Sequence, residues 1–199
     1  MKLKTPHGPA RVHLHGVDEP GALLVLGHGA GGGVTAPDLV AATQAANEAG
    51  VSVALVEQPY RVVGRRSPAP AHQLDAAWIA VVEQLGDELP ILAGGRSAGA
   101  RVACRTAEQV GAGAVVCLAF PVHPPGKPEK TRLDELDAVK VPTLVVQGES
   151  DPFGMPPPRR RRKVIAIPGN HSLRSAPAVR AAVAAWLPAQ VKRLSSAPA

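Results

Sequence analysis

Short apolar runs, each parted from the next by a loop or a helix-length segment, recur along this chain, and that rhythm admits few folds. "GALLVLG", "VSVALVEQP", "LPILAGG", "AGAVVCLAF", "TLVVQGE" and "KVIAIPG" are too short for core helices and rich in Val, Leu and Ile, so they read as strands. A continuous apolar run such as "GALLVLG" marks a strand buried on both faces. "RVHLHGV" alternates apolar and polar residues instead, as an edge strand does. Residues 37–49 read as a helix that opens at Pro37 and stops at Gly50. A proline-rich loop, "YRVVGRRSPAPA", precedes a second helix with Leu74, Trp78, Val81, Val82 and Leu85 on one face. Residues 98–110 and 176–194 complete the set, the last expected to bury Val179, Val183, Trp186 and Leu187. Strands joined through helices dictate a mostly parallel sheet with right-handed crossovers and helices on both faces, a three-layer α/β sandwich. With no internal repeat and no linker, residues 1–199 are expected to form a single domain.

In open parallel sheets, chemistry collects at the carboxyl ends of the strands. The segments there are "GHGAGGG", Glu57, "GRSAG", "PVHPPG", "ESDPFG" and "NHSL". Gly95-Arg96-Ser97-Ala98-Gly99 fits the G-x-S-x-G nucleophile elbow and lies between a strand and a helix, as that motif requires. A serine hydroxyl needs a base and a group to orient that base. Asp151 and His171 follow Ser97 in the chain order Ser, Asp, His, each just past a separate strand. Glu149, Asp134 and Asp137 compete for the acid role, and His123 for the base or a place in the substrate pocket.

The loop after "LLVL" admits two jobs. Gly27-x-Gly29-x-x-Gly32 fits a dinucleotide-binding pattern, with Glu57 as the acid at the end of the next strand. The same glycines suit an oxyanion loop, in which backbone amides turn toward a substrate without intervening side chains. Ala98, following the nucleophile, and Ala30, with Gly31 next, are the expected donors. Only the oxyanion reading also uses Ser97, Asp151 and His171. His28, Gly29, Arg96 and His123 are the candidate pocket residues, and Arg96 and Arg101 flank the elbow where an acidic substrate would be felt. No metal and no organic cofactor is called for.

Lys plus Arg number 22 against 16 Asp plus Glu, a net charge of +6, and part of the excess lies in the run Arg159 to Lys163. No aromatic residues interleave with that run for base stacking, so it reads as a solvated loop and not as a nucleic-acid patch. Cys104 and Cys117 sit in a helix and a strand and read as small core residues, which suits a reducing cytoplasm. "MKLKTPHGPA" lacks the apolar stretch of a signal peptide, and no segment has the length of a membrane span. The expected partner is a small-molecule substrate, and the oligomeric state is left open.

"GHGAGGG", "GGRSAGAR", "FPVHPPGKPEKTRLDEL", "VQGESDPFG" and "GNHSL" together resemble the α/β-hydrolase superfamily, near the dienelactone hydrolase-like enzymes. Within it they resemble most the branch holding the testis-expressed thirty protein and the hydrolase-like subunit of the NSL chromatin complex, with "HPPGKPEK" the most specific stretch. The resemblance runs from about residue 20 to 190. It implies an α/β-hydrolase sandwich, hydrolysis at a carbonyl such as an ester or thioester, and a triad of Ser97, Asp151 and His171. The chromatin relative implies an alternative, a non-catalytic interaction module on the same fold. One departure stands out. Three consecutive prolines forbid a full helix between Asp151 and His171, and the expectation there is a mobile basic loop. Residues 121–142 are too few for an inserted lid, which predicts an open, shallow site.

Overall fold

A computed structural model describes residues 1–196. The strands are β1 (Lys2–Leu3), β2 (Ala10–His15), β3 (Ala22–Gly27), β4 (Val51–Glu57), β5 (Ile91–Arg96), β6 (Ala114–Leu118), β7 (Thr143–Gly148) and β8 (Arg162–Ile167). They form one sheet in the order β1-β2-β4-β3-β5-β6-β7-β8. Pairing is parallel from β4 to β8, and antiparallel only where β1 and β2 join the edge. The helices are α1 (Pro37–Glu48), α2 (Pro59–Val62), α3 (Ala71–Leu85), α4 (Ala98–Thr106), α5 (Leu133–Asp137) and α6 (Ala176–Ser195).

Successive side chains of a strand point to opposite faces, so each central strand feeds two cores. Leu24 and Leu26 of β3 join Leu39 of α1 and Val179, Val183, Trp186 and Leu187 of α6 on one face. Leu23 and Val25 join Trp78, Val81 and Val82 of α3 and Val102 and Cys104 of α4 on the other. That division makes the three layers. Cys104 and Cys117 are buried, free and 3.5 Å apart at sulfur. No lid domain covers the carboxyl ends of the strands; residues 121–142 hold only a loop and α5. Among the described residues, no helix is long and apolar enough to cross a membrane.

Three local expectations are corrected. The edge of the sheet is β1, two residues that pair outside β2; a strand so short carries no periodic signal. The helix after the elbow ends at Thr106 and passes into turns, short of residue 110. The basic run is no solvated loop throughout: Arg162 opens β8, is 6% exposed, donates to the Pro157 carbonyl at 3.1 Å and pairs with Asp137. A buried guanidinium needs such partners to offset its desolvation. β8 thus follows β7 with no helix between them, pairing Val145 with Val164.

Candidate active site

Ser97 is the single residue between β5 and α4, with φ 52° and ψ −105°. A positive φ costs a residue with a Cβ about 1–3 kcal/mol, and surrounding structure must hold it there. Here the Ser97 amide donates to the Leu118 carbonyl of β6 at 2.9 Å, and α4 is pressed onto the end of β3. A Cβ on Gly99 would collide with the Gly27 carbonyl and come within 2.9 Å of the His28 oxygen. Only glycine permits this approach, which sets the first turn of α4, and the amide of Ala98, beside the hydroxyl.

The loops after β5, β7 and β8 bring Ser97, Asp151 and His171 together. Ser97 Oγ lies 2.9 Å from His171 Nε2, and His171 Nδ1 lies 2.8 Å from Asp151 Oδ2. The Asp151 side chain is 1% exposed and accepts further bonds from the Phe153 amide and Gln147 Nε2, both at 2.9 Å. Buried Gln147 also reaches the Phe120 and Gly154 carbonyls, so its amide orientation is determined. The Phe153 ring packs edge-on to the imidazole at 4.5 Å, and fully buried Leu173 anchors the loop that carries it. The competing acids lie elsewhere: Glu149 and Asp134 are exposed, and Asp137 is paired with Arg162.

His28 and Arg96, expected at the substrate pocket, are internal supports instead. His28 is 3% exposed; its Nδ1–H donates to the Gly29 carbonyl at 2.8 Å and its Nε2 accepts the Gln58 amide at 3.1 Å. Burial pushes its pKa below the usual 6.5, against the opposing pull of the Gly29 carbonyl. The unfolded chain therefore takes the proton first, so this contribution to stability is complete above about pH 6.5 and is lost as pH falls below it. We expect urea denaturation to show a smaller stability loss from pH 7.5 to 5.5 in His28→Gln than in the parent; an equal loss would refute the assignment.

Arg96 runs from the elbow to α1, where its Nε sits 2.8 Å from Oδ2 of fully buried Asp38, and its other end donates to the His171 carbonyl at 3.2 Å. Burial raises the Asp38 pKa, and the Arg96 charge opposes that rise. A Cβ on Gly29 would come within 2.7 Å of the Arg96 guanidinium, so that glycine leaves the arginine its path. His123 bonds the Pro124 carbonyl at 3.0 Å and meets Phe153 edge-on at 6.2 Å, and it is not part of the cavity lining. Glu57 is taken up by Arg11 and His13 of β2, each at 3.1 Å, which removes the acid from the dinucleotide reading.

Sequence reasoning missed Asp38, Tyr60, Gln147 and Phe153. The Tyr60 hydroxyl donates to the Ala30 carbonyl at 2.8 Å and fixes the peptide in the glycine loop; burial pushes its pKa up to about 12. Tyr60 is the only tyrosine of the chain and lies in α2, just past the β4 end, a signal that was readable. Beside Ser97 opens a cavity of about 320 Å³, walled by Ala30, Pro68, Leu74, Ala98, Pro121 and Phe153 and bordered by Arg101, Arg105 and Arg132. That is the small end of ligand-pocket sizes.

Sheet order, elbow and convergent strand ends define the α/β-hydrolase class. The chain belongs to that family: the model described as "Alpha/beta hydrolase domain" matches residues 20–174. No curated protein matches. Among solved structures, it is similar to Est1E from Butyrivibrio proteoclasticus, solved with ferulic acid, at 19% identity and TM-score 0.80, covering 96% of this chain and 99% of that one. A Xanthomonas campestris protein described as an a/b serine hydrolase without lid aligns at 20% identity and TM-score 0.73, over 100% and 95% of the chains. Dienelactone hydrolase from Anabaena variabilis aligns at 17% identity and TM-score 0.72, over 97% and 95%. At these identities the likeness is one of fold.

Proposed function

We propose that this protein is a serine hydrolase of small esters, thioesters or related carbonyl compounds. The observation that carries the reading is the unbroken relay from Ser97 Oγ through His171 to Asp151, with bonds of 2.9 and 2.8 Å. His171 Nε2 takes the serine proton as Oγ attacks the carbonyl carbon, then returns it to the leaving oxygen or sulfur. Buried Asp151 holds the Nδ1–H tautomer and stabilises the imidazolium. Water, activated by the same imidazole, then cleaves the acyl-enzyme and frees the acid. The Ala98 and Ala30 amides make no hydrogen bond within the described residues and are our oxyanion donors, with Gly31 beside them. The chemistry asks for no metal or organic cofactor.

Within the family we place the chain in the testis-expressed thirty and NSL-subunit branch on its "HPPGKPEK" stretch, and in the cytoplasm on its free cysteines. No observation favours a purely interaction-mediating role. The test is labelling with a neutral fluorophosphonate, which reports an activated serine whatever the substrate. Labelling that Ser97→Ala and His171→Ala both abolish supports the proposal; a folded parent that stays unlabelled overturns it.

A further inference from the structure

Three guanidinium groups, those of Arg101, Arg105 and Arg132, border the cavity that contains Ser97. Two carboxylates answer them. Glu135 of α5 binds Arg101 Nε at 2.8 Å and, through both oxygens, reaches Arg101 and Arg105; Asp75 of α3 binds Arg105 Nε at 2.8 Å. Arg101 and Arg105 are thereby held and neutralised. The arginine left over is Arg132, which heads α5 and whose guanidinium makes, among the described residues, one hydrogen bond, a long 3.5 Å contact to the His123 carbonyl. Three cations against two anions leave one positive charge on the cavity wall, and the group carrying it is half-buried and forms no ion pair among the described residues.

Such a group is costly. Desolvation, with repulsion from Arg101 and Arg105, lowers the Arg132 pKa, and Glu135 only partly offsets this. A guanidinium that gives up water beside two others gains most from an anion that enters with the ligand and binds its planar fork. Apart from Ser97 and the arginines the lining is apolar, with Ala98, Pro121, Pro125 and Phe153 among it. The cavity therefore offers a reacting centre, a cation and hydrocarbon lining to one ligand. Arg96 and Arg101, which flank the elbow in sequence, are both engaged and cannot play this part.

We propose that the substrate is a small ester or thioester bearing an anionic group, and that Arg132 binds that anion while Ser97 attacks the carbonyl. The inference rests on the serine hydrolase reading for its reaction and on the arginine cluster alone for its anion. Carboxylate and phosphate share the required chemistry.

The test compares esters matched except for charge. With the anion on the acyl side, the pair is mono-4-nitrophenyl adipate and 4-nitrophenyl hexanoate; on the leaving side, 4-acetoxybenzoate and its methyl ester, with 4-acetoxyphenyl phosphate as the phosphate arm. We expect at least one anionic ester to be preferred in kcat/KM, mainly through KM, and Arg132→Gln to cut that anionic-to-neutral ratio roughly 10- to 100-fold, as loss of a charge-assisted bond does. Arg132→Lys should keep most of the preference. Arg160→Gln removes a charge that does not line this cavity and should leave the ratio alone; an equal fall there would assign the effect to the net charge of +6 and overturn the proposal. Equal rates for every pair in a labelled, active enzyme would also overturn it. Calorimetry on Ser97→Ala separates the two readings. Tighter binding of the anionic ester, lost in Ser97→Ala/Arg132→Gln, upholds the anion site even where labelling has sunk the hydrolase reading.

Discussion

Ser97→Ala is expected to lower kcat on a turned-over ester by on the order of 10³-fold or more while leaving the protein folded. The size follows from what the substitution removes and what it keeps. Alanine retains the Cβ, so the residue stays at φ 52° with the same backbone cost, and the Ser97 amide keeps its bond to Leu118. Only Oγ goes, and with it the hydrogen bond to His171, a change of about 1 kcal/mol in stability. His171 keeps its contact with Asp151, so the base survives with nothing to activate. What rate remains is that of water attacking a substrate held by the oxyanion donors we propose, the Ala98 and Ala30 amides. A variant that keeps more than about a tenth of the parent kcat would leave too little of the barrier for covalent catalysis to explain. Its melting temperature should stay within a few degrees of the parent, which separates lost chemistry from lost fold.

The residues that sequence reasoning placed well are those whose signal is local. β3 and β7 are buried at every position, and continuous apolar runs announce that burial. The elbow announces itself because its five-residue spacing is local, although what demands Gly95 and Gly99 is the close approach of the Gly27 backbone at the end of β3. Asp151 and His171 were reachable because a parallel sheet puts its strand ends on one edge, so chain order and strand position together narrow the choice. Long-range partnership was hidden. Nothing in "GRSAGAR" tells that Arg96 turns into α1 toward Asp38 while Arg101 turns toward α5, since both read alike as charges flanking the elbow. His28 sits in the most suggestive motif of the chain, yet its two ring nitrogens are spent on Gly29 and Gln58. Arg162 belongs to a run of four arginines, and only the location of Asp137 singles it out for burial. The same blindness hid Arg132, whose interest comes from the carboxylate it lacks.

Asp151→Asn is expected to lower kcat by on the order of 10³- to 10⁴-fold, with Glu149→Gln close to the parent. The carboxylate accepts from three donors: the Phe153 amide at Oδ1, and Gln147 Nε2 and His171 Nδ1 at Oδ2. An asparagine has one oxygen and must point its amide nitrogen at one side of this arrangement. If the nitrogen takes the Oδ2 position, His171 can satisfy it only by presenting Nδ1 as an acceptor. The proton then sits on Nε2, facing Ser97, and the base is blocked. If the nitrogen takes the Oδ1 position, the tautomer is kept but the Phe153 N–H meets another donor in a buried site, and no negative charge remains to stabilise the imidazolium. Gln147 favours this second arrangement, because its two N–H groups are shared among the Phe120 and Gly154 carbonyls and Oδ2, and a nitrogen at Oδ2 would face this donor with another donor. Gln147→Leu should therefore weaken that preference and push Asp151→Asn toward the fully blocked state, so the double variant falls below the single one. Loss of activity in Glu149→Gln with retention in Asp151→Asn would reassign the acid, and it would require the loop after β7 to present Glu149, exposed in this structure, to the imidazole.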